Sequence, residues 1–213
     1  MFHLARTRMA LLATVSMLLS FAQAATATEL YFNSYGWDKI YRMDATTSQM
    51  ELLPEADASE ATFFKAADFA SDDRLYGIGL GSLVAVDVSG PEAVWTQQYA
   101  IADGGDYLSF APDDQLWVTS GSMLRQVAPG GATVLDTSVR MTYLGIDVLP
   151  WGIDFAADGT PYAIDSSHLY RVDPATGIAA RIHSQPNLDG GIFTEIDSAA
   201  DGKIRMLGSF GYL

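Results

Sequence analysis

The chain contains no cysteine and only three histidines. Without cysteine there is no disulfide, no thiol nucleophile and no thiolate metal site, so packing alone must hold the fold. Beyond residue 24 only His168 and His183 remain, too few for a histidine-based zinc centre. Basic residues are scarce too: 12 Lys and Arg stand against 26 Asp and Glu, a formal net charge of −14. They form no basic stripe. A chain this acidic repels phosphate backbones and anionic lipid, so nucleic acid is not an expected partner, while cations, Ca²⁺ included, and uncharged ligands suit it. The sequence also lacks a G-x-S-x-G elbow, a phosphate-binding loop and a dinucleotide fingerprint.

Long apolar runs are missing except at the start. Arg6 and Arg8 precede the mostly apolar stretch from Met9 to Phe21, and Ala22-Gln23-Ala24 has the small-x-small form of a cleavage site. This predicts a signal peptide over residues 1–24 and a single domain over 25–213, secreted or periplasmic and not inserted in a membrane once cleaved. Ala25-Thr26-Ala27 offers a second cleavage site. Cleavage removes two Arg and no acid, so the mature chain is more acidic still.

What the chain does have is a repeat. Asp68-Phe69-Ala70-Ser71-Asp72-Asp73-Arg74-Leu75-Tyr76 returns as Ser109-Phe110-Ala111-Pro112-Asp113-Asp114-Gln115-Leu116-Trp117. It returns again as Asp154-Phe155-Ala156-Ala157-Asp158-Gly159-Thr160-Pro161-Tyr162 and, more weakly, from Asp197 to Arg205. Aligned on Asp73, Asp114, Gly159 and Gly202, the unit advances by 41, 45 and 43 residues. Short β-branched and aromatic runs at a period in the low forties predict an all-β chain, a β-propeller of four-stranded antiparallel blades. The apolar residues do not keep to alternate positions, as expected where neighbouring blades cover both faces of a sheet. Lettering the strands of a blade a to d, residues 30–53 supply b, c and d, three full blades follow, and the C-terminal segment supplies a and b. Seventeen strands make about four to five blades. Because the N-terminal set lacks only strand a, Phe193–Asp197 is expected to pair with Leu30–Asn33 and close the ring; otherwise the last blade is incomplete.

The repeat resembles secreted bacterial propellers of the NHL, SMP-30/gluconolactonase and YncE-like kind. The stretch Trp151-Gly152-Ile153-Asp154-Phe155-Ala156-Ala157-Asp158-Gly159, with Leu169-Tyr170-Arg171-Val172-Asp173-Pro174-Ala175-Thr176-Gly177, carries most of the likeness. The SMP-30-like lactonases hold a divalent metal near the axis with residues just before strand a. The equivalent positions here are Lys65, Asp106, Trp151 and Thr194, so only Asp106 matches, and Glu195 lies one residue past the fourth. The resemblance thus leaves Asp106 and Glu195 as the metal candidates and does not carry the lactonase site across.

The repeated Asp-Asp and Asp-Gly pairs read as turn chemistry. Asp68, Asp154 and Asp197 recur at one strand-a position with Ser109 in the remaining repeat, and the carboxylates are expected to bind backbone N–H groups of the adjoining blade. Residues that break the repeat cluster in the d–a and b–c loops at the other end: Trp37, Asp106, Tyr143, Asp147, Trp151 and Glu195. Acids beside aromatics on variable loops suit a ligand site for a small molecule, a glycan or a protein. The reading is an exported, non-catalytic binding or interaction propeller that needs no cofactor; the alternative is an SMP-30-like metal-dependent lactonase. His168 and His183 read as packed or surface residues with no partner in the sequence.

Overall fold

The computed structural model describes residues 22–23, 29–34, 39–44, 47–54, 65–79, 82–101, 104–128, 134–184, 193–198 and 203–208. Among them there is no helix. Four antiparallel sheets of four strands follow one another along the chain, each in simple meander order. The first holds β1 (Ala22–Gln23), β2 (Glu29–Ser34), β3 (Lys39–Asp44) and β4 (Met50–Leu53). The second holds β5 (Ala66–Phe69), β6 (Leu75–Gly79), β7 (Ser82–Asp87) and β8 (Val94–Ala100). The third holds β9 (Tyr107–Phe110), β10 (Leu116–Ser120), β11 (Met123–Val127) and β12 (Val134–Arg140). A hairpin of β13 (Thr142–Tyr143) and β14 (Ile146–Asp147) leads to the fourth: β15 (Gly152–Phe155), β16 (Pro161–Ile164), β17 (His168–Val172) and β18 (Ala179–Ser184). A pair, β19 (Phe193–Ser198) and β20 (Ile204–Gly208), ends the described chain. The innermost strands β5, β9, β15 and β19 are successive neighbours. This is the blade arrangement of a β-propeller.

The a–b turns show why the repeat has the residues it has. Asp73 and Asp114 adopt φ of 64° and Gly159 φ of 83°, so the position used to align the repeats is the left-handed residue of a tight hairpin. The preceding carboxylate accepts an N–H two residues on: Asp72 from Arg74, Asp113 from Gln115, Asp158 from Thr160. Backbone bonds repeat in step, from Asp73 to Ala70, Asp114 to Ala111 and Gly159 to Ala156.

The recurrent strand-a carboxylates tie one blade to the next. Asp68 accepts the N–H of Phe110 at 2.9 Å, and the Ser109 hydroxyl lies 3.3 Å from Asp68 and 2.8 Å from Asp154. Asp154 in turn accepts the N–H of Ser198. All four side chains at this position are buried. A buried carboxylate is tolerated only when hydrogen-bonded, and here the neighbouring blade supplies the donors.

Between these ties the blades pack through apolar side chains. β6 and β15 are buried along their whole length, whereas the outer strand β4 exposes three of its four residues. Inner strands therefore lose the alternation that a one-sided sheet would show. Tyr76 meets Phe110 edge-on across the second and third blades, with ring centroids 5.1 Å apart; Trp117 meets Phe155 across the third and fourth at 5.8 Å. Each large side chain buried this way contributes roughly 2 kcal/mol.

Two expectations are corrected. The C-terminal strand a does not pair with the N-terminal strand b: β19 pairs with β20 and packs on β15, while Ala22–Gln23, which the expected cleavage after Ala24 removes, lies beside β2 in the full chain. A strand that keeps its own hairpin partner has no free edge on that side to offer, and the nearest stretch of chain fills the vacant one. The d–a connection that carries Tyr143, Asp147 and Trp151, expected as a loop, instead contains the β13–β14 hairpin. The local reason is Leu144-Gly145, with φ of 52° and 79°, which turns the chain back within two residues.

Candidate functional site

The residues that open strand a occupy one structural position in three successive blades. Lys65, Asp106 and Trp151 each donate their N–H to the last residues of strand b: to Ile78, Thr119 and Ile164 at 2.7, 2.7 and 2.6 Å. The Lys65 ammonium reaches across to the Asp106 carboxylate at 2.9 Å, and the N–H of Gly121 gives Asp106 a second donor at 3.0 Å. Burial would raise the Asp106 carboxyl, but these two hydrogen bonds and the Lys65 charge outweigh it and hold the group below its ordinary value.

A divalent cation at this end, which the SMP-30 resemblance implies, would need several oxygens around it. The residues do not fit one. Asp106 is engaged by an ammonium, and an indole stands at the third equivalent position. Among the described residues no three His, Asp or Glu side chains converge as a metal set. Trp37 lies outside the described residues. The backbone of Glu195 pairs with Leu207 in β19, and its side chain lies outside the described part.

Tyr143 and Asp147 form a second neighbourhood. Met141 is fully buried and receives the N–H of Val148, which anchors the hairpin base. Thr142 donates to the carbonyl of Gly177 at 2.9 Å and bridges Ile178, which seats β13 against the turn before β18. Gly177 has to be glycine: φ is 73°, and a Cβ there would lie 2.1 Å from the Arg140 carbonyl oxygen. Tyr143 packs on Tyr170 with centroids 5.8 Å apart, and the Arg181 guanidinium lies 5.2 Å above the Tyr143 ring. Asp147 pairs with Arg140 at 3.0 Å. The predicted site residues are thus divided. Asp106 and Trp151 lie at the mouth of the inner strands, and Tyr143 and Asp147 lie in the hairpin beside the outer strands of the fourth blade.

Sequence reading missed a polar cluster in the b–c turn of that blade. Asp165 accepts the N–H groups of Ser167 and His168 and the Tyr170 hydroxyl, and lies 3.1 Å from His168 Nδ1. Burial, then the hydrogen bond to Asp165 and its charge, push the Tyr170 hydroxyl far above its usual value. His168 therefore has a partner after all, three residues earlier. The signal was the Asp-Ser-Ser-His order across a tight turn, which brings the ends together only once β16 and β17 pair.

Among the described residues, the hairpin and its sequel also carry the largest run of exposed apolar side chains. Leu144, Ile146, Leu149 and Trp151 fall within eight residues, at 83, 72, 58 and 39% exposure, and Ile178 beside Thr142 is exposed as well.

No protein-family model matches the chain, and no curated protein sequence matches it. Solved structures do. It resembles hydrazine synthase of Kuenenia stuttgartiensis at 16% identity and a TM-score of 0.60, over 94% of this chain and 60% of that one. It resembles glutaminyl cyclase of Myxococcus xanthus at 22% and 0.62, over 89% and 84%. A gluconolactonase of Xanthomonas campestris follows at 18% and 0.55, over 79% and 61%. The chain spans about three fifths of the first and the last of these. At such identities the likeness is one of fold: this is a β-propeller, of the architecture that the gluconolactonase shares.

Proposed function

We propose that this protein is an exported, non-catalytic propeller that recognises a protein partner through the β13–β14 hairpin and the segment up to Trp151. One observation carries the reading: four exposed apolar side chains in eight residues, in the connection that breaks the blade repeat. An apolar run of this kind is costly to leave in water and marks an interaction surface. The base of the hairpin is rigid, because Met141 and Val148 are buried and Thr142 is bonded to the next blade. A rigid scaffold under an apolar tip limits the entropy lost on binding. The Arg140–Asp147 pair and Arg181 supply a polar rim. The N-terminal run over residues 1–24 supports export.

Aligned residues do not favour the lactonase alternative, since Asp106 is paired with Lys65. The test is site-specific photocrosslinking in the native producing cell. A photoreactive residue at Ile146 is expected to give one discrete protein adduct, absent from the same residue at Thr47 and lost in the Leu149→Asp/Trp151→Ala background with melting temperature unchanged. Equal crosslinking from positions 146 and 47 sinks the reading.

A further inference from the structure

The junctions between blades are not equivalent at the a–b turn end. Between the second and third blades, Ser71 donates its N–H to Asp114 at 3.0 Å and its hydroxyl to the other carboxylate oxygen. This clamp ties adjacent turns. In the repeat, Ser71 aligns with Pro112 and Asp114 aligns with Gly159. At the junction of the third and fourth blades both halves of the clamp are therefore missing: proline has neither N–H nor hydroxyl, and glycine has no carboxylate.

A groove of about 420 Å³ opens at that very place, with Pro112 and Gly159 among its walls. That volume lies in the range of small-molecule sites. Trp117 and Phe155 line it, with Pro174 from the c–d turn, while Asp113 and Asp158 stand on the two facing turns. None of its lining residues is Lys, Arg or His. Hydrogen bonds from the Thr160 N–H and hydroxyl hold the Asp158 carboxyl below its ordinary value, so it is charged at neutral pH.

We propose that this groove binds a small organic cation with an apolar body, whose ring or alkyl part lies along Trp117 and Phe155 and whose ammonium meets Asp113 and Asp158. The aromatic and proline walls exclude water from the apolar part, and the carboxylates select for positive charge. Binding here does not require a partner on the hairpin.

Phenethylamine and its uncharged counterpart phenethyl alcohol are the probes, titrated calorimetrically into the full mature chain. The amine is expected to bind with a Kd below about 1 mM and the alcohol about tenfold more weakly. Pro112→Ser/Gly159→Asp rebuilds the clamp; Asp is accepted at φ near that of Gly159, as Asp73 and Asp114 show. That variant is expected to abolish amine binding without lowering the melting temperature. Asp113→Asn/Asp158→Asn is expected to weaken amine binding about tenfold and leave the alcohol unchanged. It carries the test if the clamp variant misfolds. Equal affinity for amine and alcohol, or wild-type binding by the clamp variant, overturns the proposal. So does binding of an oligolysine peptide in the absence of amine binding, which would make the groove a protein-docking surface instead.

Discussion

The second and third blades are joined by side-chain ties at both ends, and the aligned side chains of the third and fourth can form neither. At one end of the first junction Ser71 clamps Asp114, and at the other Lys65 pairs with Asp106. The aligned residues at the second junction are Pro112 with Gly159 and Asp106 with Trp151, which cannot form either tie. Apolar material takes their place. Met141 and Val148 from the hairpin join Trp117, Phe155 and Tyr170 in one core cluster, whereas the first junction is filled by strand residues with Ile101. Only the strand-a ladder is common to both, through Asp68 and then Asp154. A repeat architecture thus keeps its central tie and lets the ends vary. Both surfaces proposed to bind lie where the polar ties have been given up, because a junction closed by hydrogen bonds leaves neither a groove nor an exposed apolar edge.

Removing the shared ladder should break both junctions and have the largest effect. Asp154→Ala takes the acceptor from the Ser198 N–H and leaves the Ser109 hydroxyl only its longer contact with Asp68, and is expected to cost about 3 kcal/mol in urea unfolding. Asp68→Ala should come close to it. A loss well under 1 kcal/mol for both would mean that the ladder does not hold the blades.

Next comes the outer contact peculiar to the second junction. Gly177→Ala places a methyl against the Arg140 carbonyl at positive φ, and is expected to cost about 2 kcal/mol. Thermal melting reads the loss, and protease cleavage near Leu144 should rise with it as the hairpin base loosens. If cleavage there stays as in the wild type, the turn before β18 does not anchor the hairpin.

A pair of substitutions sharpens the comparison directly. Ser71→Ala removes the clamp hydroxyl and should cost up to about 1 kcal/mol, while Pro112→Ala at the aligned position should cost only the few tenths expected of a turn proline. Equal melting temperatures for the two variants would show that the clamp contributes nothing.

The smallest effect is at the Lys65–Asp106 end. Asp106 titrates below its unfolded value in the native state, so its contribution is present above the unfolded value, near pH 3.9. It is lost as pH falls from about 5 through the lowered native value. Lys65→Met should therefore flatten the acid limb of a stability–pH curve, by less than about 1 kcal/mol because the pair is partly exposed. An unchanged acid limb would show that the pair is fully screened.

The sequence by itself determined the blades. Their period, the Asp-Asp and Asp-Gly turns and the recurrent Asp68, Asp154 and Asp197 are local or periodic features, since tight turns and burial on both faces constrain residue type position by position. It also marked the residues that break the repeat. What they do was decided by tertiary structure. Lys65 meets Asp106 from 41 residues away, His168 meets Asp165 only after two strands pair, and Tyr143 finds Tyr170 and Arg181 once a loop folds as a hairpin. The pairing of Ala22–Gln23 with β2, in place of the expected C-terminal strand, was likewise not written in strand pattern, because any extended segment can satisfy an open edge. The clamp and its absence lie between these cases. Ser71, Pro112, Asp114 and Gly159 stand in plain view in the repeat, but only the stacking of blades makes residues 43 apart into neighbours.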